Sequence, residues 1–149
     1  MTHSVLFVCL GNICRSPLAE GVFRALVEEK GVSDRFLIDS AGTGAWHEGD
    51  PPDPRSIEIA AKFGIDISGQ RARQVRSEDF GNFDTILAMD NDNLTTLRRK
   101  GGQGSAEIRL FLNMPPMSVP DPYYGGPDGF ENVYRLVRSG SETYLNSIL

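Results

Sequence analysis

Residues 5–20 read VLFVCLGNICRSPLAE, and a change of period inside that stretch decides the fold. Val5 to Cys9 is a short apolar run rich in β-branched and aromatic residues, the composition of a buried strand. It runs into Leu10, Gly11 and Asn12, and the last two of these tolerate the positive φ angles of a curled loop. From Pro17 the apolar residues recur at helical spacing, so that Leu18, Val22, Ala25 and Leu26 share one face. Ser16 suits the N-cap, Pro17 the first turn, Glu20 the helix start and Gly31 its end. The stretch predicts a strand, a curled loop and a helix in immediate succession.

The same alternation continues outward. Phe36–Ala41 reads as a second strand, 42–53 as a Gly/Pro-rich loop, and Pro54–Phe63 as a helix stopped by Gly64. Ser77 opens a short helical turn. Asp84–Met89 is a third strand, Asn91–Lys100 a polar helix with Arg98, Arg99 and Lys100 offsetting its dipole, and Glu107–Leu112 a fourth strand. Residues 113–129 form a loop holding five of the nine prolines: Pro115, Pro116, Pro120, Pro122 and Pro127. A connection of that length in a compact domain is usually functional. The last helix places Phe130, Val133, Tyr134, Val137, Tyr144, Leu145 and Ile148 on one face. No repeat or linker divides the chain, so residues 1–149 are expected to form a single α/β domain. Its four-stranded parallel sheet would carry helices on both faces. In such sheets sites lie beyond the carboxyl ends of the strands, which points to the loop after the first strand.

Composition narrows the function classes. With 149 residues, 40% apolar and 23% charged, the chain is an ordinary globular one, and its net charge of −5 argues against nucleic-acid partners and anionic membranes. The first apolar run is too short for a signal segment and nothing is long enough to insert in a membrane, so a cytoplasmic location is expected. Cys9 and Cys14 are too few for a disulfide framework, and with His3 and His47 far apart they make a poor zinc site. No metal and no cofactor is expected.

An acidic chain can bind a phosphate dianion only by concentrating positive potential in one pocket. Cys9 and Arg15, separated by five residues between a strand and a helix, supply such a place. A loop entering a helix N-terminus turns successive N–H groups inward and adds the helix dipole. Leu10, Gly11, Asn12, Ile13 and Cys14 would then line an anion nest. The same nest stabilises a thiolate, which makes Cys9 a nucleophile. Arg15 offers a planar fork for two phosphate oxygens, and Ser16 can donate its hydroxyl to the Cys9 sulfur. Taken alone, the cysteine–arginine spacing also fits a buried strand residue and a solvated helix charge. Its coincidence with a strand end, a Gly-Asn turn and a Ser-Pro helix start favours chemistry. No GxxxxGK[ST] loop is present. Ester cleavage needs a proton for the leaving oxygen. Asp121, stiffened by Pro120 and Pro122 and flanked by Tyr123 and Tyr124, can supply it, although a plain proline turn explains the segment equally well.

Four stretches together carry a resemblance: VCLGNICRSPLAE, DSAGTGAWHEGDPPDPR (residues 39–55), ARQVRSEDF (72–80) and DPYYGG (121–126). Across essentially the whole chain they resemble the low-molecular-weight protein-tyrosine phosphatase family. The resemblance implies Cys9 as nucleophile, Arg15 as phosphate binder and Asp121 as general acid. It also implies Asn12 and Ser40 as supports of the loop, Ser16 as helper of the thiolate, and Trp46 with Tyr123 as walls for the substrate ring. Phosphotyrosine proteins would be the substrates and inorganic phosphate the product. Some relatives carry a histidine just before ARQ, where this chain has Gly69, Gln70 and Arg71.

Three rivals share features with this reading. A thioredoxin-coupled arsenate reductase needs further cysteines, and none follows Cys14. Protein-arginine phosphatases of the same fold tend to place Thr where Ile13 stands. A non-catalytic phosphoprotein-binding module would be expected to lack Cys9 or Asp121. Cys14, five positions from Cys9, is expected to capture an oxidised Cys9 as a disulfide, or else to pack as a small hydrophobe.

Overall fold

The computed structural model describes residues 2–101, 104–113, 116–123 and 127–149. Its first strand, β1 (His3–Cys9), is buried from Ser4 onward because both of its faces are covered. It pairs in parallel with β2 (Phe36–Gly42) on one side and β3 (Thr85–Ala88) on the other. Beyond β3 lies β4 (Glu107–Leu110), and the order β2-β1-β3-β4 leaves β1 and β3 central. Alternate residues of β1 feed two cores. Val5, Phe7 and Cys9 meet α1 (Arg15–Glu29), α2 (Pro54–Lys62) and α5 (Pro127–Ile148). Leu6 and Val8 meet Phe80 of α3 (Asp79–Asn82) and Leu97 of α4 (Asn91–Lys100). The result is the four-stranded parallel α/β sheet with helices on both faces that the alternation predicts.

Aromatic packing fixes α1 against the sheet. Phe7 and Phe23 are fully buried with ring centroids 5.7 Å apart, and Phe36 and Phe111 close on them edge-to-face at 5.4 Å each. Burying each such side chain stabilises the fold by about 1.5–3 kcal/mol. Gly31, at φ 72°, ends the helix as expected, with Val32 N–H donating to Val27 O at 2.9 Å.

Three local expectations need correction. Helix α1 begins at Arg15 with Cys14 at its N-cap and no side-chain cap, so Ser16 is inside the helix and its hydroxyl is used elsewhere. For the same reason Glu20 lies beyond the first turn and is buried. The fourth strand stops at Leu110, opposite Ala88, the last residue of β3. Beyond it two short strands, β5 (Leu112–Asn113) and β6 (Pro116–Met117), pair antiparallel outside the main sheet. Helix α5 starts at Pro127 rather than Phe130, with proline in its first turn, and Ile148 at its end is exposed rather than on the buried face. Loops 10–14, 43–53 and 89–90, and the described residues that follow β4, all lie beyond the carboxyl ends of the parallel strands.

Candidate active site

The loop after β1 is shaped by where its carbonyls go. Cys9 O accepts from Thr43 N–H and Leu10 O from Gly44 N–H, both at 2.9 Å. Ile13 O accepts from Asp53 N–H at 2.8 Å and Cys14 O from the Ser56 hydroxyl at 3.3 Å. With these carbonyls tied outward to residues 43–56, the amides are left for the inside of the curl. One of them, Asn12 N–H, donates to Cys9 Sγ at 3.3 Å. Asn12 takes the positive φ of 57° that the curl requires, but Gly11 does not. Position 11 is glycine for space: a Cβ there would meet the His47 ring at 3.1 Å. Gly42 is likewise pressed under the loop, where a Cβ would fall 2.8 Å from Leu10 O.

Behind the loop runs a buried polar chain. Cys9 Sγ lies 3.0 Å from Ser16 Oγ. Asn12 Nδ2 donates to Ser16 Oγ at 2.8 Å and to Ser40 Oγ at 3.1 Å, and Asn12 Oδ1 accepts from Arg73 N–H at 3.0 Å. The Asn12 side chain thus points into the protein, behind the loop, while its backbone N–H faces the Cys9 sulfur. Arg73 is itself braced by ion pairs to Asp39 at 3.1 Å and Asp79 at 2.9 Å. Gln70, two residues before the ARQ stretch, donates to Pro17 O at 3.1 Å.

Arg15 is 97% buried, being only 3% exposed, and is held from two further loops. Its Nη1 donates to Asp90 at 2.6 Å and to Val119 O at 3.0 Å, and its Nη2 lies 3.7 Å from Asp121. Burial opposes the charge, but Cys9, Asp90 and Asp121 outweigh it and hold the guanidinium above its ordinary pKa. Burial, with Asp53 and Cys9 adding to it, pushes the Cys14 thiol up to about 12. Asp121 is nearly half exposed, and its Oδ1 accepts from Tyr123 N–H at 3.1 Å.

These groups surround one cavity of about 180 Å³. Cys9, Leu10, Gly11, Ile13, Cys14 and Arg15 form its floor, and Trp46, His47, Asp121 and Tyr123 its walls. Tyr123 faces the Arg55 guanidinium, 5.4 Å from the ring centroid, and Arg55 is fixed by two bonds to Asp53 at 3.0 and 2.9 Å. Tyr124 lies outside the described residues. Sequence reasoning missed His47, Asp90, the Val119 carbonyl and Arg73. Asp90 had a signal: it follows the expected third strand (Asp84–Met89) directly, beyond the carboxyl end where sites form.

Comparison with known proteins agrees with this geometry. The family model described as low molecular weight phosphotyrosine protein phosphatase matches residues 4–149. A low molecular weight phosphotyrosine protein phosphatase from Schizosaccharomyces pombe is 52% identical over 150 residues, 97% of this chain and 96% of the relative. The crystal structure of a protein tyrosine phosphatase from Entamoeba histolytica superposes with a TM-score of 0.93 at 37% identity, covering 99% of this chain and 97% of that one. That of a Drosophila arginine phosphatase superposes with a TM-score of 0.91 at 32% identity, covering 96% of both chains. The chain belongs to the low-molecular-weight phosphotyrosine protein phosphatase family.

Proposed function

We propose that this chain hydrolyses phosphotyrosine in protein substrates through a cysteinyl-phosphate, with Cys9 as nucleophile, Arg15 as phosphate binder and Asp121 as acid and base. The observation that carries this reading is the convergence of a thiol, a guanidinium and a carboxyl group on one cavity between Trp46 and Tyr123. In the first step the Cys9 thiolate attacks phosphorus, the P–O bond to tyrosine breaks, and Asp121 gives its proton to the departing oxygen. In the second step Asp121 takes a proton from water as the water oxygen attacks phosphorus. The S–P bond breaks, and the Ser16 hydroxyl receives the returning thiolate. Arg15 and the loop amides, including that of Asn12, hold the equatorial oxygens throughout, which is the electrostatic stabilisation such a transition state needs. Leu10, Ile13 and the ring walls would hold the phenyl group.

A second reading, arginine phosphatase activity, is favoured by the likeness to the Drosophila enzyme. The apolar Ile13 at the cavity floor suits an aryl ring better than a guanidinium. Turnover of a phosphotyrosine peptide in the presence of chelator, set against the matching phosphoarginine peptide, separates the two. Faster cleavage of phosphoarginine would overturn the tyrosine reading.

The acidic chain suits protein substrates rather than nucleic acids. No helix among the described residues is long and apolar enough to cross a membrane, and both cysteines are free thiols, which fits a reducing cytoplasm. Redox sensitivity belongs to the same proposal. Peroxide would oxidise Cys9 to a sulfenic acid, and the Cys14 sulfur would displace water from it to give a disulfide. Because Cys14 is held as a thiol, this bridging would be slow near neutral pH. Cys14→Ser should recover poorly with dithiothreitol after peroxide, and full recovery in that variant would remove the bridge.

A further inference from the structure

The segment that carries Asp121 is largely exposed, so its direction toward the cavity is set by what it rests on. On one side Val119 is bonded to Met89 O and to the Arg15 guanidinium. Pro122 is buried beside the first turn of α5, where a Cβ on Gly129 would stand 3.5 Å from it. On the other side the Tyr123 ring rests on Arg55, whose guanidinium lies 5.4 Å from the ring centroid.

Arg55 has little freedom of its own. Asp53 takes the edge of its guanidinium, with Nε donating to Oδ1 at 3.0 Å and Nη2 to Oδ2 at 2.9 Å. That fork leaves the flat faces for aromatic rings, and the centroid of the buried Phe130 ring lies 4.6 Å from the guanidinium carbon. Bonds from the Arg55 side chain hold the Asp53 carboxyl below its ordinary pKa against the cost of burial, so the pair stays ionic. Asp53 also caps α2 through the Arg55 N–H at 2.9 Å, and its own N–H donates to Ile13 O of the phosphate loop at 2.8 Å. Contacts therefore run from Ile13 through Asp53, Arg55 and Tyr123 to Asp121, whose Oδ1 accepts from Tyr123 N–H at 3.1 Å. With Oδ1 so occupied, Oδ2, which faces Arg15 at 3.7 Å, is left to carry the proton.

We infer that Arg55 is a positioning residue for the proposed reaction: it seats the Tyr123 ring, and through the Tyr123 N–H it aims Asp121 at the leaving oxygen. The inference rests on Asp121 being the general acid. The turn from Asp121 to Tyr123 keeps its shape locally, but its direction relative to the loop depends on its supports. Arg15 ties Val119 to the loop on one side, and Arg55 ties Tyr123 to it on the other.

The test measures kcat/KM of Arg55→Met, Arg55→Lys, Asp121→Asn and the double variant Arg55→Met/Asp121→Asn on phenyl and p-nitrophenyl phosphate, with thermal melting recorded separately. Both esters present a phenyl ring to the cavity walls, so a slacker Tyr123 wall affects them alike. They differ in how much their leaving oxygen needs a proton. Arg55→Met keeps a contact with Phe130 but loses charge and fork. It should cost about tenfold on phenyl phosphate, a fraction of the roughly 10²–10⁴ that a general acid is worth, because the other supports remain. On p-nitrophenyl phosphate, a better leaving group, the loss should stay below about threefold. Arg55→Lys restores the charge without the fork and should recover only part of the loss. Inhibition by inorganic phosphate should not change. With no proton at position 121 there is nothing to aim, so the double variant should be no slower than Asp121→Asn. A residue that merely stabilises the fold would lower the melting temperature, cost both esters alike and add to the Asp121→Asn loss. If Arg55→Met does not fold, Asp53→Asn takes its place, since it retains a capping side chain but weakens the grip on Arg55. Equal losses on the two esters, wild-type kinetics in the variant, or a double variant slower than Asp121→Asn by the full Arg55→Met factor would each overturn the inference. Equal losses on the two esters in Asp121→Asn itself would instead overturn the underlying acid role.

Discussion

The phosphate loop and the segment carrying Asp121 meet at one cavity but are built in opposite ways. In the loop, Asn12, Arg15 and Ser16 are buried, and four carbonyls are bonded to residues 43–56. The Asp121 segment is joined to the sheet where Val119 N–H donates to Met89 O at 2.7 Å, and from Pro120 to Tyr123 it is exposed apart from Pro122. The contrast fits the tasks proposed for the two segments. Oxyanion stabilisation works only if its dipoles are already fixed when charge develops, so those groups belong in the core. A proton carrier must exchange its proton with water in each cycle, which requires exposure.

Four substitutions bear on that contrast. Cys9→Ser should abolish turnover while leaving inorganic phosphate binding, measured by calorimetry, close to wild type, because the buried nest is intact. A tenth of wild-type kcat in this variant would remove Cys9 as nucleophile. Asp121→Asn should lower kcat by roughly 10²–10⁴, most for alkyl and tyrosyl phosphates and least for activated aryl esters. Equal losses across that leaving-group series would show that the exposed segment carries no proton. Arg15→Lys keeps the charge but loses the fork, and kcat/KM should fall about 10²–10³-fold. A near-normal value would mean that the loop needs charge but not geometry. Asp90→Asn retains a side chain able to cap α4, where Asp90 accepts from Asn93 N–H at 2.8 Å, yet it removes the charge facing Arg15. Its kcat/KM should drop about tenfold with little change in melting temperature. A large fall in melting temperature with unchanged kinetics would make Asp90 a cap and nothing more.

The two regions also differed in how well the sequence revealed them. The loop's position was legible because a strand end, a Gly-Asn turn and a helix start stand next to one another in the chain. Its internal wiring was not. Ser16 looks like an N-cap until the helix is seen to begin two residues earlier than that, at Arg15, which frees its hydroxyl for Cys9 and Asn12. Asp90 and the Val119 carbonyl reach Arg15 only because β3 lies beside β1, and an order of β2-β1-β3-β4 is a property of pairing that no local pattern encodes. Arg73 stands in the sequence between Arg71 and Arg76 with nothing to set it apart, yet its backbone N–H orients Asn12 and its side chain bridges two carboxylates. The hairpin after β4 was hidden as well, since two-residue strands leave no periodicity to read.

Arg15 sits near the start of the chain, whereas the groups that hold it, Asp90 and Val119, follow 75 and 104 residues later. These are contacts of long loop closure, which form late in folding and slowly. A nascent chain growing from its N-terminus therefore carries Cys9, the proposed nucleophile, for most of synthesis without the guanidinium in place. The thiol should be no more reactive than that of an unfolded peptide until the segment through Val119 has joined the sheet. Phosphate binding then marks completed folding rather than an early step.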